Sequence, residues 1–270
     1  MQTLKLNSKG ADVVKLQNLL NNCGYKVSND GIFGKGTNNA VLAFQKANGL
    51  AADGIVGHGT WTALIAKATQ TPPTAADSLK LTEADYVRAA GMMKVEVAAI
   101  KAVKTVESGS RGGFFEPGKP AILFEGHIFW RQLKKKGINP EMHVKGNENI
   151  LYPKWTKGHY AGGIKEYDRL EKAMNINVAA ARESASWGMF QIMGFNYKAC
   201  GCSDVNDFVN NMMVSEGRQL DLFVKFLIAN GWDKYLRALD WAGFARHYNG
   251  PGYAANKYDQ RLLAAYNKNK

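Results

Sequence analysis

Val95-Glu-Val-Ala-Ala-Ile-Lys-Ala-Val-Lys-Thr-Val-Glu-Ser-Gly109 reads as a mostly buried helix that ends on a carboxylate. Val95, Ala99, Ala102, Val103 and Val106 recur at helical spacing, while Lys101 and Lys104 mark the wet side. Glu107 follows Val103 by four residues and Ile100 by seven, which puts it on or near the apolar face in the last turn. Gly109 supplies the stop. A carboxyl group there has two reasons to keep its proton. Apolar neighbours disfavour its charged form, and so does the negative end of the helix dipole. A neutral carboxylic acid near pH 7 is what protonation of a departing oxygen requires. A glutamate at a helix end can equally be solvated or paired with Arg111, so the surrounding chain has to decide.

The chain has 270 residues, enough for one large domain or two modest ones. Its composition, 46% hydrophobic and 21% charged, is that of an ordinary globular protein. No apolar run approaches the roughly 18 residues of a membrane span. Met1 to Gly10 has no long apolar core, so no conventional secretory signal is expected there. Cys23, Cys200 and Cys202 form no disulfide framework, and the one-residue gap between the last two suits neither a bridge nor a zinc pair. Reduced thiols are expected. The net charge of +12 is spread over the chain: residues 1–70 carry seven Lys and three Asp, and the remainder is basic too. Such a surface favours a polyanion, whether nucleic acid, anionic lipid or an acidic cell wall.

Towards the N-terminus lies an internal repeat. Asp30-Gly-Ile-Phe-Gly-Lys-Gly-Thr37 returns 23 residues later as Asp53-Gly-Ile-Val-Gly-His-Gly-Thr60. The Asp-Gly pairs predict tight turns, and Thr37 and Thr60 are candidate N-caps for the helices that follow, Asn38 to Ala47 and Trp61 to Ala68. With a helix over Ala11 to Asn22 they make a compact three-helix bundle. Residues 69–80, with Pro72-Pro73, read as a semi-stiff linker.

Beyond the linker, Thr82 with Asp85 three residues on opens a helix. Pro120 to Glu125 reads as a short strand leading into a helix from His127. Residues 139–163 read as an irregular excursion, and from Ile164 the chain is mostly helical, with amphipathic segments at Leu220 to Leu227 and Leu262 to Tyr266. Lys134-Lys-Lys136 suits a helix C-terminus and makes a weak nucleic-acid patch. Histidines 58, 127, 143, 159 and 247 form no tight ligand pair, so no metal and no cofactor are expected.

Gly10-x-Asp12-Val13-x-x-Leu16-Gln17-x-x-Leu20, with the doubled Asp-Gly-x-x-Gly-x-x-Thr and Phe44-Gln45, resembles the small peptidoglycan-binding domain found on many cell-wall hydrolases. That resemblance implies a wall anchor with a shallow groove near the repeated loops, and Asp30, Gly31, Phe33, Asp53 and Gly54 as anchor residues. Four further segments resemble the phage-type N-acetylmuramidases of the lysozyme-like superfamily: Val106-Glu107-Ser108-Gly109, Ile122 to Phe129, Ser184 to Ile192, and Phe244-Ala245-x-x-Tyr248-Asn249-Gly250. Parts of them are also similar to goose-type lysozymes and lytic transglycosylases. The expected fold is mainly α, a lysozyme-like α+β catalytic domain over 81–270 with a small β element, joined to the N-terminal three-helix bundle over 1–68.

Cleaving a β-1,4 glycosidic bond needs a proton for the leaving oxygen and negative charge near the oxocarbenium-like centre. Glu107 is the expected general acid. Glu125 is the candidate second carboxylate, with Glu116, Asp168 and Glu183 as rivals. Ser186, Gln191, Tyr248 and Asn249 carry groups that orient sugars. Trp130, Trp155, Trp187 and Tyr253 could each stack on a sugar or pack in the core, Trp187 being favoured for the cleft. The resemblance further implies a phage endolysin made in the host cytoplasm and let out by a separate pore. Its expected partner is bacterial peptidoglycan, with no nucleic acid, electrostatic attraction to an anionic envelope, and a monomeric state. The open alternatives are a transglycosylase giving 1,6-anhydro ends and a non-catalytic wall-binding protein.

Overall fold

The computed structural model describes residues 2–70, 79–108 and 112–270, with backbone only at 66 and 68–70. Most of the expected linker, together with Gly109 and Arg111, lies outside the described residues. In chain order the elements are α1 Ala11–Asn22, α2 Lys35–Ala47, α3 His58–Gln70, α4 Glu83–Met93 and α5 Val97–Ser108. Short strands follow: β1 Phe114–Glu116, β2 Lys119–Pro120 and β3 Ile122–Phe124. Then come α6 Gly126–Lys135, α7 Glu166–Met174, α8 Val178–Glu183, β4 Ala185–Trp187 and β5 Ile192–Met193. The chain ends with α9 Val205–Met212, α10 Glu216–Ala229, α11 Asp233–Arg237, α12 Trp241–Tyr248 and α13 Tyr258–Asn269. The fold is mainly α with a small β element, as the sequence predicts. It divides into two compact units, residues 1–76 with 124–185, and residues 77–123 with 186–270.

In the first unit, α1 to α3 close around Leu4, Val13, Leu16, Leu20, Phe33, Val41, Phe44, Val56, Trp61 and Leu64. The repeated loops are each held by one buried glutamine. Gln17 Nε2 lies 2.9 Å from Asp30 Oδ1, 3.0 Å from Ile32 O and 3.1 Å from Thr37 Oγ1, and its Oε1 accepts from Gly31 N. Gln45 does the same with Asp53 Oδ1, Ile55 O, Thr60 Oγ1 and Gly54 N. Thr37 and Thr60 are therefore not N-caps. Helix α2 is capped by Gly34, and both threonines sit at the third helical position facing their glutamine. A buried amide with all its bonds made fixes a loop more firmly than an exposed cap.

The same unit contains a second buried polar device. Glu166 and Arg169, 0% and 3% exposed, pair at 2.7 Å. Glu166 accepts from the N–H groups of Phe124, Ala161 and Gly162, while Arg169 donates to Phe124 O and Asn149 O. Both backbone groups of Phe124 are thus clamped, and Glu125 follows directly. Arg182 Nη1 donates to Asn29 O at 2.6 Å, tying α8 to the first repeat loop.

In the second unit, Thr82 and Asp85 form a full capping box on α4. Helix α5 starts at Val97, two residues later than the periodicity suggests. The reason lies in α4, whose C-cap Lys94 is left-handed (φ 56°) and whose Ala90 O takes the Val95 N–H. The apolar face of α5 is buried as expected, with α4 and α13 against it. The run after Ile164 is not unbroken helix: β4 and β5 pair antiparallel, Ser186 opposite Met193 and Trp187 opposite Ile192. Buried Gln219 and Glu216 on α10 hold the neighbouring loops. Gln219 bonds Gly113 O, Met212 O and Met189 N, and Glu216 accepts from Gly113 N and Leu81 N. Cys200 and Cys202 are free and buried, and burial pushes their thiols up to about 12 and about 11.

Candidate active site

Glu107 is half-buried in the last turn of α5. Asn249, the C-cap of α12, donates from Nδ2 to both of its oxygens, at 3.2 and 3.4 Å. Arg261 on α13 donates to the adjoining Val106 O at 3.4 Å. Burial raises the Glu107 carboxyl above the ordinary glutamate range. The Asn249 bond and the Arg261 charge pull it back without cancelling the rise. Tyr248, one residue before Asn249, stacks on Phe244 and donates to Phe190 O at 3.3 Å. Burial first and the Glu107 charge second hold its phenol far above the usual range, so it stays a proton donor.

Phe190 leads straight into Gln191, whose backbone is left-handed (φ 50°). A non-glycine residue there is strained, and such strain persists only where the surroundings impose it. Here they do. Gln191 Oε1 accepts from Ser186 Oγ at 2.7 Å, and Nε2 donates to Gly188 O and Ala121 O. Gly188 itself needs to be glycine. Its φ is +71°, and a Cβ would come within 2.8 Å of Gln219. Glu107, Asn249, Tyr248, Gln191 and Ser186 thus belong to one connected set within the second unit. Trp187, favoured for the cleft, is 2% exposed. Its strand pairing turns the ring into the interior, so it presents no face to a sugar.

Glu125 belongs to the first unit, at the end of β3 and the N-cap of α6, with its side chain 17% exposed. Tyr160 Oη donates to its Oε2 at 2.8 Å, and Trp155 Nε1 donates to Tyr160 Oη at 3.0 Å. Burial and then the Glu125 bond push the Tyr160 phenol up to about 12. His127 Nδ1 lies 3.3 Å from Glu125 Oε2 but outside hydrogen-bond geometry. Burial lowers the His127 pKa, against the opposing pull of the Glu125 charge. Of the rivals, Glu116 pairs with Lys119, Glu183 pairs with Lys136, and Asp168 is exposed. Tyr160, Asn249's bond to Glu107, and Arg261 were reachable only through the fold, since each meets its partner across 35 residues or more.

The repeat loops divide their residues by role. Asp30 and Asp53 each brace their own loop, accepting from the N–H two residues on, and Asp53 stays exposed. These bonds, the backbone one foremost, hold the Asp53 carboxyl below the usual range. Gly31 and Gly54 are buried with positive φ, and Phe33 is fully buried in the bundle core, where it cannot meet a wall ligand. The side chains that face outward are Ile32 and Ile55, 47% and 41% exposed. Beside the second loop lies an open depression of about 250 Å³ lined by Gln45, Leu50, Ala51, Asp53, Ile55 and Gly57, with Gly59 and Thr60. Among the described residues no cluster of His, Cys, Asp or Glu has the make-up of a metal site, and no helix is long and apolar enough to cross a membrane.

A mainly helical chain carrying a half-buried glutamate with a raised carboxyl, together with a small helical bundle of repeated loops, is what a wall-directed glycoside hydrolase requires. The N-acetylmuramidase family model matches residues 96–270, and that of a putative peptidoglycan binding domain matches residues 9–64. The chain belongs to the N-acetylmuramidase family, and its layout is that of a modular endolysin. The crystal structure of Burkholderia AP3 phage endolysin is similar to it, with 43% identity, 99% of both chains covered and a TM-score of 0.66. An endolysin of Enterobacteria phage PRD1 is 31% identical over 139 residues, which are 49% of this chain and 84% of that protein. The protein is thus a phage-type enzyme that degrades peptidoglycan.

Proposed function

We propose that the enzyme cleaves the β-1,4 bond between N-acetylmuramic acid and N-acetylglucosamine, with Glu107 as the general acid. The observation that carries this reading is the half-buried Glu107 carboxyl, raised by burial and held by Asn249. It keeps a proton to higher pH than a solvated glutamate and can pass it to the leaving oxygen. Tyr248, Ser186 and Gln191 hold substrate hydroxyl and N-acetyl groups. Glu125 is the proposed second carboxylate. The functional division proposed is anchor 1–68, linker 69–80 and catalytic domain 81–270, which differs from the division into compact units. The anchor grips peptidoglycan at the depression beside Ile55 and raises the local concentration of the catalytic domain. The basic charge adds attraction to an anionic envelope. The protein acts as a monomer, binds no nucleic acid, and reaches the wall from the host cytoplasm through a separate pore.

Lysis of outer-membrane-stripped cells by the parent and by Glu107→Gln tests the assignment. Loss of lysis with retained wall binding is expected, and equal lysis by both removes Glu107 from the chemistry. Mass spectrometry of released muropeptides then decides the bond and reaction. Reducing muramic ends are expected. 1,6-Anhydro ends, lighter by one water, mean transglycosylation instead.

A further inference from the structure

The irregular excursion at residues 139–163 carries an ordered relay within the first unit. Trp155 is 54% exposed, yet its ring is not free to turn: Nε1 donates to Tyr160 Oη, which donates onward to Glu125 Oε2. The direction of the relay is forced. An indole N–H can only donate, and the phenol then has one proton left to give, to the carboxylate. Behind it stands a pile of rings. Tyr152 stacks on His159 at 4.3 Å and faces His127 at 6.4 Å, and the Arg169 guanidinium lies 5.5 Å from the Tyr160 ring centre. The polar edge of Trp155 is therefore satisfied by protein, and what it offers outward is a fixed apolar face.

We propose that Trp155 is a saccharide-stacking platform, taking the C–H face of an N-acetylhexosamine ring of the glycan strand, and that Tyr160 is a positioning residue that sets this ring and the Glu125 carboxylate together. A pyranose has one apolar face and a rim of polar groups, and indole suits a place where one side is apolar and the other wet. A rigid ring also loses little conformational freedom on binding. The relay gives the sugar a fixed position relative to Glu125 rather than to a loop that swings. The proposal rests on peptidoglycan as the substrate and extends the reading above to the residues that seat it.

The test measures binding of purified, peptide-free glycan strands by calorimetry, on the full chain carrying Glu107→Gln to stop turnover. Trp155→Ala, Trp155→Phe and Tyr160→Phe are added singly, with melting temperatures as a folding check. Trp155 is mostly exposed, so its truncation leaves no core cavity. Trp155→Ala is expected to weaken binding roughly 10-fold or more, Trp155→Phe at most about 3-fold, and Tyr160→Phe by an intermediate amount. In the Glu107 enzyme, Trp155→Ala is expected to raise KM with little change in kcat, whereas Tyr160→Phe also lowers kcat through Glu125. Unchanged binding by Trp155→Ala overturns the platform. Trp155→Phe as weak as Trp155→Ala overturns the ring-face contact, and a silent Tyr160→Phe overturns the relay. Residual lysis by Glu107→Gln alone would count against the general acid and leave these binding results standing.

Discussion

The two glutamates sit in opposite kinds of environment. Glu107 closes a greasy helix, meets a neutral amide from Asn249, and has its ionisation opposed chiefly by burial. Glu125 stands between a strand and a helix and receives the proton of a phenol, itself fed by an indole N–H. The Asn249 amide orients the Glu107 carboxyl and draws its pKa part of the way back down, while burial keeps it raised. The Tyr160 phenol orients the Glu125 carboxyl in turn. The two glutamates therefore differ in what surrounds them, and environment is what divides roles between paired carboxylates.

The largest effect expected is on rate. Glu107→Gln should lower kcat by about 10²- to 10⁴-fold. Glu125→Gln, which keeps an oxygen for Tyr160, should cost less, and initial rates on purified peptidoglycan compare the two. Equal losses would erase the contrast. Next comes stability on the Glu125 side. Arg169→Ala leaves Glu166 as an uncompensated buried charge and releases Phe124, so chemical denaturation should show a loss of about 3–5 kcal/mol. A loss under about 1 kcal/mol would mean the pair is not the clamp described.

Smaller shifts sharpen the Glu107 side. Removing the donor in Asn249→Ala, or the cation in Arg261→Met, takes away an influence that lowers the Glu107 pKa. The alkaline limb of the kcat profile should move to higher pH in both, with kcat also falling in Asn249→Ala as the carboxyl loses its orientation. The smallest effect concerns stability against pH. A carboxyl raised by folding binds its proton more tightly in the native state than in the unfolded one. Its contribution is therefore lost as pH rises from the unfolded value through the folded one. Glu107→Gln should melt higher than the parent at pH 7, and that gain should vanish below pH ~4. A gain that persists in acid would have another origin.

Much of this was legible in the sequence because it is local. Periodicity placed α1 and α5 to within two residues and Thr82 marked the start of α4, whereas α13 extends beyond the Leu262–Tyr266 segment on both sides; the Asp-Gly repeat announced two equivalent loops. What the sequence concealed is non-local. Gln17 and Gln45 stood inside quoted motifs, but nothing in their spacing shows that one amide holds a whole loop. The threonines looked like caps because capping is read from neighbours, whereas their partners are 20 and 15 residues away. Trp187 and Phe33 looked available because their motifs are functional, yet strand pairing and the bundle core bury both. Tyr160 lay in a stretch with no period at all, where pattern gives no reading.

The most direct measurement is a carbon-detected NMR titration of the Glu107 carboxyl in ¹³C-labelled full-length protein, assigned by its disappearance in Glu107→Gln. A midpoint clearly above the 4.5 of an unperturbed glutamate is expected, moving higher again in Asn249→Ala. A midpoint at or below 4.5 would mean that the group is ionised throughout the working range and cannot be the acid.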